Sequence, residues 1–377
     1  MAKVKKDKED GEEKQVTPQE QAMSYLKQTK DDHYNFEPDN YYKVPSSSLN
    51  LNLELGGGLP VGAHRVTGIN SGGKTSCSFD FMHNFLKMGD NHLGVYFKCE
   101  GRLSPELQKR TGIKFTTDPS EWNNSCLVVE SNVYEVVFGF IRECIINNPT
   151  KARYFFIIDS MDAMGKKEDL AKPLEEAGQV AGGALLTSVF LKKSALALAK
   201  RGHVLIFISQ VRDEIKINQY QQTNPRQGKS SGGHALEHNA NFVIDALPRF
   251  NDDLIRENPN DKNSKIIGHY CKMCLVKTDN EKNLVKLSYP IKYGRQGGSS
   301  VWKEREVFQQ LLMWGFLEKG GAWLTLEKSF REELLTVDPN APEKIQGEEK
   351  ACDYLTNNPK VLDFIYNKLL GILSTSS

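Results

Sequence analysis

Apolar and polar residues alternate along most of the chain in the pattern of an α/β protein. Between about residue 60 and residue 298, short apolar runs rich in β-branched and aromatic residues are separated by longer segments with helical character. The runs cover residues 64–69, 93–100, 126–130, 154–160, 203–210, 242–250, 269–277 and 284–293. Near-continuous apolar strands that alternate with helices are typical of a parallel sheet covered on both faces. The pattern therefore predicts an α/β core around a mostly parallel central sheet.

The pattern changes twice along the chain and so predicts three parts. Residues 1–48 begin with a charged tail, continue with a short helix that starts at Thr17 and Pro18, and end in an acidic, aromatic link. Residues 49–298 contain the alternating pattern of the core. Residues 299–377 are mostly helical around a GGAWL segment and predict a small C-terminal α+β domain.

Composition limits the class of protein but says little about its binding partners. The chain has 377 residues, of which 39% are hydrophobic and 26% charged, as in ordinary soluble globular proteins. Because 49 Lys and Arg nearly balance 48 Asp and Glu, any nucleic-acid site must be a local surface. Seven scattered cysteines are typical of reduced thiols in a cytosol-like compartment. The most apolar stretch, residues 182–199, contains Lys192 and Lys193, so we expect no membrane span.

The strongest chemical signal is a phosphate-binding loop. Residues 68–75 read GINSGGKT, a full match to G-x-x-x-x-G-K-[ST], and they lie between a predicted strand and a predicted helix. In such a loop backbone N–H groups face phosphate oxygens, the lysine ammonium lies near the outer phosphates, and the hydroxyl of Thr75 can bind Mg²⁺. We therefore expect ATP and Mg²⁺ as cofactors, bound by Gly68, Ile69, Asn70, Ser71, Gly72, Gly73, Lys74, Thr75 and Ser76.

Polar residues at the ends of three apolar runs extend this prediction. Asp159 ends a buried run and is the expected second magnesium ligand, although an Asp at a strand end is also commonly a helix cap. Glu100 ends another run and is a candidate to orient or deprotonate water, the alternative being an exposed strand-end carboxylate. Gln210 ends a third run and is a candidate for contact with the γ-phosphate. In a parallel sheet these ends meet at one edge.

Two long polar segments interrupt the core. They cover about residues 165–179 and 212–233. A segment of the second length is unusual as a plain connection in a compact domain. Its length and composition indicate a functional loop.

Six blocks in this order make the sequence resemble the bacterial RecA recombinases. They are residues 56–75, 97–113, 155–164, 205–212, 230–246 and 318–324, and the similarity covers nearly all of the chain from about residue 18. The resemblance implies a RecA-type P-loop ATPase core that follows a short N-terminal oligomerisation helix. Because the blocks are diverged, we expect a bacteriophage version at least as much as a cellular one.

What the resemblance implies is a DNA-dependent ATPase that acts in DNA recombination and repair. Such a protein forms a helical filament on single-stranded DNA and catalyses pairing and strand exchange with homologous duplex DNA. The N-terminal helix would dock on the neighbouring subunit, and the C-terminal domain would gather duplex DNA. The expected location is the cytoplasm of a bacterium or of a phage-infected host.

The resemblance also assigns roles to individual residues. Glu100 becomes the catalytic carboxylate, Gln210 the γ-phosphate sensor, and Lys277 a lysine that reaches the nucleotide of the neighbouring subunit and so joins Lys74 among the catalytic residues. The two polar segments become DNA-binding loops, and Lys192 is either a DNA contact or a solvated residue on a helix face. The expected DNA-binding residues are Lys192, Arg212, Arg226, Lys229, Ser230, Ser231, Gly232 and Gly233.

Two departures from the family pattern leave alternatives open. Leu107 occupies the position at which the family usually stacks an aromatic ring on adenine. Asp279 occupies the position of the second of two lysines at the subunit interface, and Lys282 is the candidate to take its place. The alternative functions are a hexameric helicase with the same fold and an ATP-switched DNA-coating protein with little turnover.

Overall fold

The structure is a computed structural model that describes residues 17–100, 103–173, 182–210 and 233–374. By internal contacts the chain divides into two compact units, Met1–Asp39 and Asn40–Ser377. The predicted boundaries at residues 48 and 298 therefore stay predictions.

The described helices follow one another along the chain from the N-terminal unit to the C-terminal residues. They are α1 (Pro18–Gln28), α2 (Leu49–Glu54), α3 (Lys74–Leu86), α4 (Pro105–Thr111), α5 (Tyr134–Ile146), α6 (Lys167–Leu170), α7 (Gly182–Lys200), α8 (Gly233–Asn239), α9 (Lys303–Met313), α10 (Lys328–Leu334), α11 (Gly347–Asn357) and α12 (Pro359–Ser374).

The described strands form one large sheet and two small ones. They are β1 (Lys43–Val44), β2 (Leu59–Pro60), β3 (Gly62–Gly68), β4 (His92–Lys98), β5 (Phe115–Thr116), β6 (Cys126–Val129), β7 (Arg153–Asp159), β8 (Val204–Ile208), β9 (Phe242–Ala246), β10 (Leu254–Arg256), β11 (Ile266–Lys277), β12 (Val285–Lys292), β13 (Leu317–Gly320), β14 (Trp323–Leu326) and β15 (Lys344–Gln346).

The N-terminal unit contains helix α1. Its first turn is closed by a capping box, in which the Thr17 hydroxyl accepts from the Glu20 backbone N–H at 3.2 Å and the Glu20 carboxylate accepts from the Thr17 N–H at 2.9 Å. Pro18 occupies the first turn, where its missing N–H is not needed. The helix predicted at Thr17 and Pro18 is present, and none of its residues is buried.

The central sheet is mostly parallel, as predicted. Its strands run in the order β10-β11-β9-β3-β8-β7-β4-β6-β5, with β12 paired to β11. The pairs from β9 to β5 are parallel, whereas β11 pairs antiparallel with β9, β10 and β12. All six residues after Arg153 in β7 and all five residues of β8 are buried, because helices cover both faces of the sheet.

Helices pack on opposite faces of this sheet. On one face, Phe79 and Phe85 of α3 belong to a buried cluster that includes Ile206 and Ile208 of β8. Alternation along the strand turns Phe207 to the other face, where its ring lies 6.5 Å from that of Phe190 on α7. This arrangement places the start of α3 next to the carboxyl end of β3, in the middle of the edge at which the parallel strands have their carboxyl ends.

The C-terminal residues have a hydrophobic cluster of their own. It joins α9 to α12 with the antiparallel sheet β13-β14-β15, in agreement with the predicted α+β character. Helix α2 is attached to it, because Leu49 is in the cluster and the buried Glu306 carboxylate of α9 accepts from the Ser48 hydroxyl at 2.7 Å and from the Leu49 N–H at 2.9 Å.

Helix α7 is the one helix in the described ranges with the length and apolarity that a membrane crossing requires, a property it shares with core helices. Here it packs on β3 and against α5, and Lys192 and Lys193 are exposed on its outer side. Phe190 and Leu191 of this helix are buried, whereas Leu185 and Leu196 are exposed.

Candidate nucleotide-binding site

The predicted phosphate-binding loop connects β3 to α3. Gly68 ends the strand with a φ of 131°, and a Cβ there would lie 2.3 Å from the Ala246 carbonyl oxygen of β9. Gly73 precedes the helix with a φ of 99°, and a Cβ there would lie 3.2 Å from Cys271 Sγ. Both positions favour glycine, since other residues rarely adopt such φ values. The motif thus has the strand-loop-helix setting that its sequence predicts.

Lys74 is buried at the start of α3, with 8% of its surface exposed. Its ammonium donates to the carbonyl oxygens of Gly68 at 2.9 Å and Ile69 at 2.7 Å. Burial lowers the pKa of Lys74, and the nearby carboxylates, among them Asp159 and Glu100, act in the opposite direction. The loop and these carboxylates hold a buried positive charge at the site.

The predicted magnesium ligands lie side by side. Thr75 Oγ1 donates to Asp159 Oδ2 at 2.7 Å, and the Tyr96 hydroxyl donates to the same oxygen at 3.1 Å. Burial raises the pKa of Asp159, and the hydrogen bonds from Thr75 and Tyr96 partly offset this. A hydroxyl next to a carboxylate is an oxygen pair of the kind that Mg²⁺ prefers, so the residues fit the ion.

Tyr96 was not predicted from the sequence. It lies in the same apolar run as Glu100, two residues before the end of β4, where it is in register with Ile157 of β7.

The ends of β4, β7 and β8 bring the other predicted residues together. Glu100 Oε1 accepts from Ser160 Oγ at 2.5 Å and from Gln210 Nε2 at 3.1 Å. The Gln210 backbone N–H donates to Asp162 Oδ2 at 2.7 Å. Glu100 and Gln210 thus share one small hydrogen-bonded group at this edge. Ser160 and Asp162 were missed, although both directly follow the strand end at Asp159.

A cavity of about 630 Å³ adjoins the loop. The loop and α3 line one side of it, and the predicted Leu107 lines it from α4. The opposite wall comes from residues that follow β9 or belong to β11 and β12 and their following turn. Its members include Arg249, His269, Tyr289, Ile291, Lys292 and Tyr293.

Several polar residues of this cavity were missed by the sequence analysis. Arg110 Nη2 donates to Ser76 Oγ at 3.1 Å, and His269 Nδ1 lies 3.1 Å from the Tyr293 hydroxyl. Burial and the charges of Arg249 and Arg110 lower the pKa of His269 to about 4, so its imidazole is neutral at pH 7. His269 and Tyr293 are distant from the motif in sequence, and no local sequence pattern predicts the antiparallel pairing of β11 with β9 and β12 that brings them to the cavity.

Lys277 at the end of β11 contacts its own chain. Its ammonium donates to the carbonyl oxygens of Glu237 at 3.0 Å and His238 at 2.9 Å, in the last turn of α8. Cations stabilise helix C-termini in this way. Lys282 pairs with Glu54 at 3.5 Å. A role of either lysine in a neighbouring subunit stays a prediction.

The predicted DNA-binding residues are only partly described. Lys192 is exposed on α7, and Gly233 is the first residue of α8. In the first polar segment, residues 165–173 are described and include α6. The other predicted DNA contacts lie outside the described residues, namely Arg212, Arg226, Lys229, Ser230, Ser231 and Gly232.

A glycine-dependent loop with a buried Lys74 and a Thr75–Asp159 pair, at one edge of a mostly parallel sheet, defines a P-loop nucleotide-binding protein. The family model of the RecA N-terminal domain matches residues 36–297. The chain therefore belongs to the RecA family, which confirms the resemblance seen in the sequence.

Three relatives named Protein RecA show how far the similarity extends. The one from Bifidobacterium breve is 26% identical over 329 residues, covering 86% of this chain and 72% of the relative. The one from Mycobacterium marinum is 27% identical and covers 87% of this chain and 84% of the relative. The one from Aquifex pyrophilus is 26% identical and covers 86% of this chain and 82% of the relative. These relatives come from cellular bacteria and give no support to the expected phage origin.

Proposed function

We propose that the protein is a RecA-like recombinase, a DNA-dependent ATPase that forms helical filaments on single-stranded DNA and exchanges strands with homologous duplex DNA. The observation that carries the proposal is the joint position of Lys74, the Thr75–Asp159 pair and Glu100 at one sheet edge. Relatives named Protein RecA support a role in recombination.

ATP would bind with its phosphates along residues 68–76 and its base in the adjoining cavity beside Leu107. The loop N–H groups and Lys74 would stabilise the phosphate charges, and Thr75 and Asp159 would hold Mg²⁺. The magnesium ion supplies neutralisation of charge on the phosphate oxygens. Phosphate oxygens would compete with the Gly68 and Ile69 carbonyls for the Lys74 ammonium.

Glu100 is the group placed to activate water. Its Oε1 accepts two hydrogen bonds, from Ser160 and Gln210, which fix the orientation of the carboxylate. The oriented carboxylate can accept a proton from water that attacks the γ-phosphate. Gln210 donates from its side chain to Glu100 and from its backbone N–H to Asp162. A contact of Gln210 with the γ-phosphate would therefore shift its hydrogen bonds to both residues.

Self-association and DNA binding are the remaining parts of the proposal. Helix α1 buries none of its residues and exposes Met23 and Tyr25, which supports docking on a second copy. The balanced net charge suits a local DNA surface of loop backbone and a few cations such as Lys192. We further propose a cytoplasmic location.

The experiment is phosphate release from ATP with and without single-stranded DNA. Wild type should be strongly stimulated by DNA, and Glu100→Gln and Lys74→Ala should lose the activity. Glu130→Gln is a matched control, because Glu130 follows the neighbouring strand β6 and pairs with Lys98, and both residues line a second cavity and not the one beside the loop. Hydrolysis that is indifferent to DNA would contradict the recombinase proposal.

The alternative with a specific observation in its favour is a DNA-coating protein with little turnover. Lys277 bonds to α8 of its own chain, and Asp279 cannot supply a second interface cation. This alternative predicts nucleotide-dependent DNA binding with equal, near-zero hydrolysis in wild type and Glu100→Gln. Electron microscopy of the protein on DNA would separate a helical filament from the ring of a helicase.

A further inference from the structure

A buried tyrosine lies next to the predicted magnesium ligands. Tyr96 is in β4, and 3% of its surface is exposed. Its ring centroid lies 4.9 Å from that of Phe79 on α3, and both residues belong to the hydrophobic cluster on that face of the sheet. Burial of a hydroxyl costs free energy unless the group forms a hydrogen bond, and a phenylalanine would pack there without that cost. The hydroxyl of Tyr96 is therefore not explained by packing.

The partner of this hydroxyl is the Asp159 carboxylate. Tyr96 is in register with Ile157 of the neighbouring strand β7, and its side chain reaches the residue two positions further along that strand. The Tyr96 hydroxyl donates to Asp159 Oδ2 at 3.1 Å, and the same oxygen accepts from Thr75 Oγ1 at 2.7 Å. One carboxylate oxygen thus accepts from two elements, β4 and α3, and Asp159 Oδ1 receives neither of these bonds.

The two donors stand in different surroundings. Thr75 lines the cavity beside the phosphate-binding loop, whereas Tyr96 is not among the described residues that line it. The ring of Tyr96 is held by the core, so its hydroxyl keeps a fixed position from which to bond the carboxylate. A hydrogen bond from a fixed donor restricts the rotation of the carboxylate that accepts it. Tyr96 therefore affects the site through Asp159 and not by contact with a nucleotide.

We propose that Tyr96 is a positioning residue for Mg²⁺, which holds the Asp159 carboxylate in the orientation that lets it bind the ion together with Thr75. Residues that hydrogen-bond to metal ligands orient those ligands, and their removal typically costs tenfold to a hundredfold in metal affinity. The single oxygen atom that distinguishes tyrosine from phenylalanine supplies this bond. The inference rests on the function proposed above, in which Thr75 and Asp159 hold Mg²⁺.

The test compares wild type with Tyr96→Phe, which keeps the ring that packs on Phe79. The first readout is the affinity for the non-hydrolysable analogue adenylyl imidodiphosphate, titrated over a range of Mg²⁺ concentrations and again in EDTA. Mg²⁺ should tighten binding to wild type, and Tyr96→Phe should need roughly tenfold more Mg²⁺ for half of that gain, with its affinity in EDTA unchanged. The second readout is electron paramagnetic resonance of Mn²⁺ with the analogue, which should show weaker binding of the ion to the variant.

Tyr354→Phe is the matched control, because the Tyr354 hydroxyl also donates to a carboxylate, Asp338 Oδ2 at 2.7 Å, but does so beside the C-terminal cluster. It should leave both readouts unchanged.

The outcomes separate this inference from the proposed function. If wild type binds no nucleotide, or gains nothing from Mg²⁺, the proposed function fails. If wild type gains affinity and Tyr96→Phe gains as much at the same Mg²⁺ concentration, only this inference fails. An equal loss of affinity in Mg²⁺ and in EDTA, or a variant that a thermal unfolding curve shows to be unfolded, would assign Tyr96 a structural role and overturn the inference as well.

Discussion

The Gln210 side-chain amide donates to Glu100 Oε1 at 3.1 Å, although the two residues are 110 positions apart and end different strands. Ser160 donates to the same oxygen, so one carboxylate oxygen receives two donors. The second oxygen of Glu100 carries neither of these bonds. Two residues of the protein itself therefore fix the orientation of the Glu100 carboxylate, the proposed general base.

Replacing Gln210 by Ala should lower kcat for ATP hydrolysis by roughly tenfold to a hundredfold, since Glu100 loses one of two orienting donors. The KM should rise as well if Gln210 contacts the γ-phosphate as proposed, and should stay near the wild-type value if Gln210 only orients Glu100. Steady-state phosphate release measures both constants. Gln108→Ala is the control, since its amide donates to the Leu103 carbonyl at 3.2 Å. An unchanged kcat would show that Ser160 alone orients the carboxylate.

A methyl group at Gly68 should disrupt both the loop and the fold. Gly68→Ala would place Cβ 2.3 Å from the Ala246 carbonyl oxygen at a φ of 131°, so we expect a loss of about 2 kcal/mol or more in unfolding free energy. Nucleotide binding should be abolished. Chemical denaturation and analogue titration test the two effects.

The control is Gly139→Ala in α5, where no atom lies within 4 Å of the added Cβ. This change should raise stability by about 0.5–1 kcal/mol, since alanine favours a helix interior. Equal stability of the Gly68 variant and wild type would contradict the expected clash.

Acid should destabilise the protein through its buried histidines. Burial lowers the pKa of His64 to about 4, and its Nε2 lies 2.7 Å from the Pro60 carbonyl oxygen. Because the unfolded chain binds this proton near pH 6.5 and the folded chain near pH 4, stability is complete above pH 6.5 and falls between these values. The slope from one such residue reaches about 1.4 kcal/mol per pH unit.

His64→Gln keeps a donor for Pro60 and removes the titration, so its unfolding free energy should fall less than that of wild type between pH 6.5 and 4. Chemical denaturation of both proteins across this range gives the difference. Glu306 acts in the opposite direction, because burial raises its pKa to about 7, but it is common to both proteins. Parallel pH curves would contradict the role of His64.

The sequence predicts those features of the site that depend on local signals. The loop at residues 68–75 has a motif, and Glu100, Asp159 and Gln210 each end an apolar run, so parallel pairing alone places them at one edge. Lys277 follows a register shift between β9 and β11, which no local sequence pattern predicts. Arg65 lies inside an apolar run, and the run does not indicate that its guanidinium donates to Ser209. Such contacts are properties of the assembled sheet.

Leu107 offers a last test of how this chain holds a nucleotide. It lines the cavity and is partly buried against the core, at the position where the family resemblance places an aromatic ring. A ring that stacks on a base contributes about 0.5–1.5 kcal/mol beyond its buried area. Leu107→Phe should therefore tighten binding of an ATP analogue by roughly two- to tenfold with kcat unchanged.

Leu103→Phe is the matched control, because Leu103 packs against the same core cluster and lines a second cavity instead. It should leave nucleotide affinity as it is in wild type. Thermal unfolding of both variants shows whether the larger ring is accommodated. If Leu107→Phe is stable and binds no more tightly than Leu103→Phe, the base does not lie against this position, and the wall that contains Tyr293 becomes the place to look for its contacts.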